Sequence, residues 1–538
     1  MSELTPADSS VSGAAPGLPP ALRRALILLW LVSAPVLGLL YLKVEPSPDQ
    51  AQFDYMGWMA TMGHPFYAGS FDMNWPGAML LHEAAIRMFG PVLWSWHLLD
   101  YLLMQCATIA AAVFLWRAGF RLAPFVALLL YPPVYVTAGG WMSGQRDIVA
   151  MGLLIIACCA MLAPARRELP AMFMAGLLVA CAVLIRPTYL SVLAGLLILE
   201  ALPRSWIAQP RAHGLPARMG ALCAGFALVV LAILLWALAV GNLDDWHQQS
   251  VQFTSQVYYD DPPMDLIQTI VVLFTRWWHW MTLCGGIGLV LWILRDRGLR
   301  YPLLLVLGLA AAILLSYFVQ RKGFGYHIAG FLPLLVMLTA VALDQACARM
   351  RGASTSGRRR LIGGAAIAMA ALVIMGVGIK LARDSHLLLD VRQNGMSPIT
   401  GRYDIPTAEQ VQMVDIIRAE STPEDRMVQY GTLYQIPYLA QRLPAYRFIT
   451  PAIELMTPDF TLYDAWMAEI RDGLTRYRPK FILIGGKAIT RSAAGELAPA
   501  EANAPVLTTL LAYLGDAQNG YGVRMQGDFG ILFERGAE

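Results

Sequence analysis

Three aspartates follow closely on the first apolar run: Asp49, Asp54 and Asp72 lie within VEPSPDQAQFDYMGWMATMGHPFYAGSFDMNWPG, from Val44 to Gly77. A carboxylate at a membrane boundary can take the proton of a hydroxyl presented there, which is general-base chemistry. Basic residues recur at the ends of later apolar runs, at Arg146, Arg186, Arg276, Arg321 and Lys322, and cations so placed can hold an anion beside that carboxylate. Plainer readings stand next to these. Asp49 is also a first-turn acid favoured by a helix dipole, and any one boundary cation can snorkel to lipid headgroups. Five cations at corresponding ends are harder to explain that way.

The element that must position Asp49 is a helix. Ser47 suits its N-cap, Pro48 the first helical position and Gln50 the capping box, and Gly63 stops it about four turns later. The spacing predicts a short amphipathic helix lying at the membrane surface, with Phe53, Met56, Gly57 and Ala60 on one face. Asp49, one turn before Phe53, then sits where that face meets water. Asp54 falls about 140° further round.

The rest of the chain supplies a membrane frame. Of 538 residues, 57% are hydrophobic and 14% charged, more apolar length than a soluble core of this size uses. Apolar segments at 25–42, 94–116, 122–138, 148–164, 170–185, 189–202, 217–240, 269–294, 302–319, 327–344 and 362–382 give about 11 transmembrane helices of ~20 residues. Alternate loops are rich in arginine, from Arg23 and Arg24 to Arg358, Arg359 and Arg360, which places the N-terminus in the cytoplasm and the residues after about 384 outside. Residues 1–20 are expected to be a disordered cytoplasmic tail, residues 21–384 the transmembrane domain with an external loop over 44–93, and residues 385–538 an external α/β domain. That last domain is read from short apolar runs at Met427-Val428 and Phe481 to Ile484, helical stretches near 407–420, 460–475 and 505–514, and a hairpin from Tyr521 to Arg535 turning near Gly527. Asp404, Glu409, Glu420 and Glu424 read as a solvated face, and GASTSGRRR from Gly352 to Arg360 as a linker.

Composition also excludes. A net charge of +3, with no basic run interleaved with aromatics, argues against nucleic acid. The seven cysteines show no metal or disulfide spacing. Partners are therefore lipids and small molecules.

The loop resembles the first external loop of GT-C glycosyltransferases, especially bacterial protein-O-mannosyltransferase-like (family 39-like) members, at Asp49, Gln50, Phe53, Gly63, Pro65, Tyr67, Asp72, Pro76 and Gly77. Gly144-Gln145-Arg146-Asp147, Arg186-Pro187-Thr188 and the run from Arg321 to His327 add weaker matches in order. Two departures stand out. Asn74-Trp75-Pro76 lacks the lysine common before the family's proline pair, and Gln50 replaces a second acid.

The resemblance implies a polytopic enzyme of the bacterial inner membrane, with a periplasmic C-terminal domain, that uses a polyprenyl-phosphate-linked sugar. It implies Asp49 as base and inversion at the anomeric carbon. Arg186, Arg321, Lys322 and His327 would then meet the donor phosphate, although His327 could equally be an interfacial residue. Gln50, Asp54, Asp72, Arg146, Asp147, Tyr258 and Tyr259 would meet sugar or acceptor, or orient those that do. Asp72 and Asp147 leave a divalent metal open, but no ligand spacing calls for one and no cofactor is required. Tyr258 to Asp261 fit a lid, and Trp277 to Trp280 an interface belt more than a sugar platform. The acceptor stays open among lipid A, O-antigen, another envelope glycan and protein. Two other classes remain: a transporter or flippase, which should show charges at mid-span or an inverted repeat, and a non-catalytic assembly subunit, in which Asp49 would be dispensable.

Overall fold

The computed structural model describes residues 18–44, 46–203, 211–259, 264–275, 279–296, 299–351, 357–390, 407–491, 497–501, 504–527 and 529–536. The expectations for the first seventeen residues, Asp260, Asp261, Arg276, Trp277, Trp278, most of the Gly352 linker and Asp404 lie outside the described residues.

The membrane domain is helical throughout: α1 (Pro20–Tyr41), α2 (Pro48–Thr61), α3 (Gly77–Phe89), α4 (Trp94–Arg117), α5 (Ala123–Ala138), α6 (Arg146–Met161), α7 (Glu168–Ile185), α8 (Leu190–Ala201), α9 (Leu215–Val240), α10 (Leu266–Thr275), α11 (His279–Asp296), α12 (Tyr301–Gln320), α13 (Phe331–Arg351) and α14 (Gly357–Asp390). Each of the eleven apolar segments falls mainly on one of these helices, except that the 269–294 segment is divided between α10 and α11 and the 327–344 segment begins in the turn Gly325–Ile328 ahead of α13. Among the described residues six helices, α1, α4, α7, α9, α12 and α13, are by themselves long and apolar enough to cross a bilayer, and α10 with α11 make a seventh if they form one bent span. Between α9 and α10, Leu243–His247 runs into a π-helical segment, Gln248–Tyr258.

The C-terminal domain contains α15 (Thr407–Glu420), α16 (Gln435–Ala440), α17 (Tyr463–Tyr477) and α18 (Pro505–Gly515), which surround a sheet. The strand order is β1 (Met427–Tyr430), β2 (Phe481–Gly485), β6 (Gly530–Arg535), β5 (Tyr521–Gln526), with β1 and β2 parallel and β5–β6 the expected antiparallel hairpin. A small second ladder pairs β3 (Ile489–Arg491) with β4 (Leu497–Pro499).

This domain closes over the first loop. Phe71 packs edge-on against Phe253 and Trp466, at centroid distances of 5.1 and 5.3 Å. Its backbone N–H donates to the Arg447 carbonyl at 2.8 Å, and the Tyr55 hydroxyl to the Arg442 carbonyl at 2.8 Å. Arg447 in turn pairs with Asp245 and with Glu469. A corrected picture of α2 follows: it is buried on nearly every face, by α3 below and the C-terminal domain above, and does not lie half-wet on the membrane surface.

Two close approaches fix the helices that carry the loop. A Cβ on Gly57 would come within 2.8 Å of the Glu83 backbone in α3, and one on Gly77 within 2.5 Å of the Leu184 backbone at the end of α7. Glycine lets α2, α3 and the α7 terminus touch directly, so Arg186, next after α7, is held at a set distance from the loop.

Candidate active site

The capping box at the start of α2 forms as the sequence suggests: Gln50 N–H donates to Ser47 Oγ at 3.3 Å, and Ser47 N–H to Gln50 Oε1 at 3.2 Å. The Gln50 amide has a second task. Its Nε2 donates to the carbonyls of Gly140 and Ser143, at 3.0 and 2.7 Å, while Gln145 Nε2 donates to Ser47 Oγ at 2.7 Å. The N-terminus of α2 is thereby tied to the turn that begins α6. Behind the turn, Asp100 accepts from the hydroxyls of Tyr41 and Tyr135 at 2.7 Å, and Tyr135 accepts from Gly144 N–H at 2.8 Å. A buried polar network that is fully connected fixes one arrangement. Here that arrangement sets Asp49 against Arg146.

Asp49 opens into a cavity of about 1360 Å³ between the membrane helices and the C-terminal domain. Asp72, Asn74, Arg146, Arg186, Lys322 and His327 line it with Asp49, as do Gln52, Tyr258, Tyr259, Gln320 and Tyr326. The Tyr326 hydroxyl hydrogen-bonds Asp49. Its ring is stacked between Phe324 and Trp141, at centroid distances of 5.5 and 5.9 Å. Burial raises the Asp49 pKa, and the charge of Arg146, the Tyr326 hydrogen bond and Arg186 oppose that rise without cancelling it.

Asp72 shares the cavity and feels Asp49. Burial lifts it to about 6, against hydrogen bonds from Asn74 and the charge of Arg146. Asn74 donates to Asp72 Oδ1 from both its backbone and its side-chain nitrogen at 2.6 Å, and Gln52 donates to Oδ2. The Asn74 side-chain oxygen meets Arg146 Nη1. Where the resembling family commonly carries a lysine, this chain therefore uses Asn74 to aim an arginine.

The remaining predicted residues divide. Arg186 lines the cavity but is not unopposed: its Nε lies 3.0 Å from Asp147 Oδ1, and a second nitrogen donates to Gln320. Asp147 is wholly buried and serves Arg186. Lys322 lies over the Tyr258 ring at 4.5 Å and donates to the Tyr258 carbonyl at 3.2 Å. His327, in the turn ahead of α13, lines the cavity with a buried Nδ1 that has no hydrogen-bond partner among the described residues, and burial together with the charges of Arg186 and Arg146 lowers its pKa, which disfavours the cationic form.

Two expectations fail on position, those for Arg321 and Asp54, while Gln50 takes the orienting alternative. Arg321 ends α12 in the left-handed region (φ 48°) and donates to the Met264 carbonyl at 2.9 Å, away from the cavity lining. Asp54 points the other way, into a buried pair with His82 at 2.7 Å, and His82 stacks on Trp96 at 3.9 Å. Gln50 braces the loop and does not face the cavity. Among the described residues no group of three or more His, Cys, Asp or Glu side chains is arranged to hold a metal ion.

Sequence reasoning passed over Tyr326, Gln52, Asn74 and Gln320, and every cavity residue of the C-terminal domain. Tyr326 stands inside the Arg321 to His327 run, where the cations drew the attention.

No family model matches the sequence, and no curated protein matches it. The fold has solved counterparts. ArnT from Cupriavidus metallidurans bound to undecaprenyl phosphate superposes with a TM-score of 0.60 at 16% identity, covering 96% of this chain and 99% of that one. The same protein in its apo state gives 0.57 at 14% identity, covering 96% and 100%. The two chains thus share an architecture along nearly their whole length: a polytopic helical membrane domain of GT-C type followed by a domain with a β-sheet.

Proposed function

We propose that this chain is an integral-membrane glycosyltransferase that moves a sugar from a polyprenyl-phosphate donor to a hydroxyl of an envelope acceptor, with Asp49 as the general base. The observation that carries the reading is the meeting of Asp49 with Arg146, Arg186 and Lys322 in one cavity at the membrane domain's end. A counterpart of the same fold binds undecaprenyl phosphate, which supports a lipid phosphate as the anion those cations await.

The chemistry follows from that arrangement. The acceptor O–H gives its proton to Asp49 as the oxygen bonds to the anomeric carbon. The bond from that carbon to the phosphate oxygen breaks, and polyprenyl phosphate leaves with the electron pair. Attack from the face opposite the phosphate inverts the centre. Arg146, held by Asn74, and Arg186 offer planar donors to the growing phosphate charge, Lys322 a point charge and His327 a neutral donor. A carboxylate with a raised pKa is the stronger base once ionised. Asp72 is the second reading for the base, because its pKa of about 6 is also suited to the task; its hydrogen bonds to Gln52 and Asn74 favour an orienting role instead.

The arginine-rich alternate loops support a cytoplasmic N-terminus and a periplasmic C-terminal domain in a bacterial inner membrane. The decisive experiment is transfer from defined polyprenyl-phosphate sugars by purified protein, with mass spectrometry of the modified envelope component. Transfer that is lost in Asp49→Asn supports the assignment. No transfer from any such donor refutes it.

A further inference from the structure

We propose that the acceptor is a neutral, polyhydroxylated saccharide held at the carboxyl ends of β1 and β2; the proposal rests on the transferase reading above. A pocket for one small ligand commonly measures some 300–1,000 Å³, and this cavity, at about 1360 Å³, has room for a second substrate beside the donor headgroup. Its far wall belongs to the C-terminal domain. The parallel strands β1 and β2 end there, and the crevice outside the carboxyl ends of parallel strands is where open α/β sheets take ligands.

The chemistry of that wall selects among acceptors. After β1 come Gly431 (φ 111°) and Thr432, and β2 ends at Gly485 and is followed by Gly486, all lining the cavity. A Cβ on Gly431 would stand 3.5 Å from the Gly485 Cα, so this part of the wall is peptide backbone, open to hydroxyl groups. Tyr430, Thr432 and Thr450 add hydroxyls. Tyr434 lines the same cavity as Asp49 and Asp72, so the wall reaches the reaction centre. Hydroxyl and peptide groups both donate and accept, as a saccharide requires.

Charge argues the same way. The cavity's arginines, Arg146 and Arg186, lie at the membrane-domain end, and the C-terminal wall carries Lys487 together with two carboxylates, Glu454 and Glu501. Glu454 is occupied: it accepts from the N–H groups of Val506 and Leu507, at 2.9 and 2.7 Å, and from Tyr430. An acceptor carrying phosphates calls for clustered arginines, and this wall offers none among the described residues. A peptide that added a strand would need the outer edge of β1. At Met427, where such a strand would start, that edge is already taken by Leu443 to Ala445, whose backbone bonds Met427 on both sides.

The test uses the full chain in detergent, read by ligand-induced change in thermal unfolding. The probes are undecaprenyl phosphate, a panel of neutral hexose oligosaccharides, the same oligosaccharides bearing one phosphate ester, and a Ser/Thr-rich peptide. Neutral oligosaccharides are expected to bind, with the phosphate esters about tenfold weaker, and Thr432→Arg is expected to narrow or reverse that preference. Tighter binding of the phosphate esters or of the peptide by the wild-type protein would overturn the proposal. So would failure of every neutral oligosaccharide while undecaprenyl phosphate still binds. If undecaprenyl phosphate itself does not bind, it is the transferase reading that fails.

Discussion

Arg186 and Asp147 form a buried ion pair, Nε to Oδ1 at 3.0 Å, in which Asp147 is wholly inaccessible and Arg186 nearly so. In the sequence Arg186 has no acidic residue beside it, which by itself would predict that its removal does little harm to folding. The pair reverses that expectation. Arg186→Ala strands a buried carboxylate, which should destabilise the protein by about 3–5 kcal/mol. Arg186→Lys keeps the charge and loses the planar fork, so it should fold and bind undecaprenyl phosphate more weakly. Thermal unfolding and lipid titration of both variants decide this; equal stability of Arg186→Ala and wild type would count against the pair.

Lys322 is the cleaner test of donor binding. Its contacts to the Tyr258 ring and carbonyl are each worth about 1 kcal/mol, so Lys322→Ala should leave the unfolding temperature within a few degrees of wild type. Donor affinity should fall by about tenfold, the loss of one charge-assisted contact. Donor titrations that superpose would return this lysine to a surface role.

Asp49 and Asp54 separate rate from stability. Asp49→Asn keeps shape but removes the proton acceptor, and should cost ~10²-fold or more in rate with folding nearly unchanged. Asp54→Asn weakens the buried contact with His82, and should lower stability by about 1–3 kcal/mol while the folded fraction transfers at close to the wild-type rate. Single-turnover rates corrected for folded protein distinguish the two; a full rate in Asp49→Asn would transfer the base to another residue, Asp72 first.

Much of the frame is legible in the sequence because its causes are local. The Ser47–Gln50 box, the stop at Gly63, the eleven apolar segments and the β5–β6 hairpin all rest on residues a few positions apart. The site is less so, because it is assembled across the chain. Nothing near Asp54 announces His82, and the burial of α2 depends on Arg442 and α16, which lie in a different domain. Arg321 and Lys322 are adjacent in the sequence, yet the turn after α12 sends Arg321 away from the cavity and Lys322 into it.

Sidedness has its own test. Reporter fusions at Arg358 and Thr407 should read cytoplasmic and periplasmic respectively, since Arg358 stands in the first turn of α14 and Thr407 follows its end. A cytoplasmic signal at Thr407 would put the cavity on the wrong face for a periplasmic acceptor.

Asp72 sets an acid limit. Its pKa is raised to about 6, so its carboxylate is ionised above that pH and takes up a proton below it. If the ionised form orients Arg146 through Asn74, transfer should decline as pH falls through about 6, beyond what Asp49 alone imposes. Asp72→Asn should flatten that decline. A pH–rate profile identical to wild type in the variant would assign the limb wholly to Asp49.

Tyr326 offers the sharpest probe of the mechanism, because it touches Asp49 through one hydroxyl and is held by ring stacking that a phenylalanine preserves. A hydroxyl donated to a carboxylate stabilises the charged form and lowers its pKa. Tyr326→Phe removes that donor and leaves the burial term, so the Asp49 pKa should rise further. The sign follows: at a fixed pH near neutrality less of the base is ionised and transfer slows, while the acid limb of the pH–rate profile moves to higher pH. Raising the pH should then restore much of the lost rate. A purely structural role for Tyr326 would instead lower the rate by the same factor at every pH, and a variant profile parallel to wild type across its whole acid limb would show that Tyr326 does not act through Asp49.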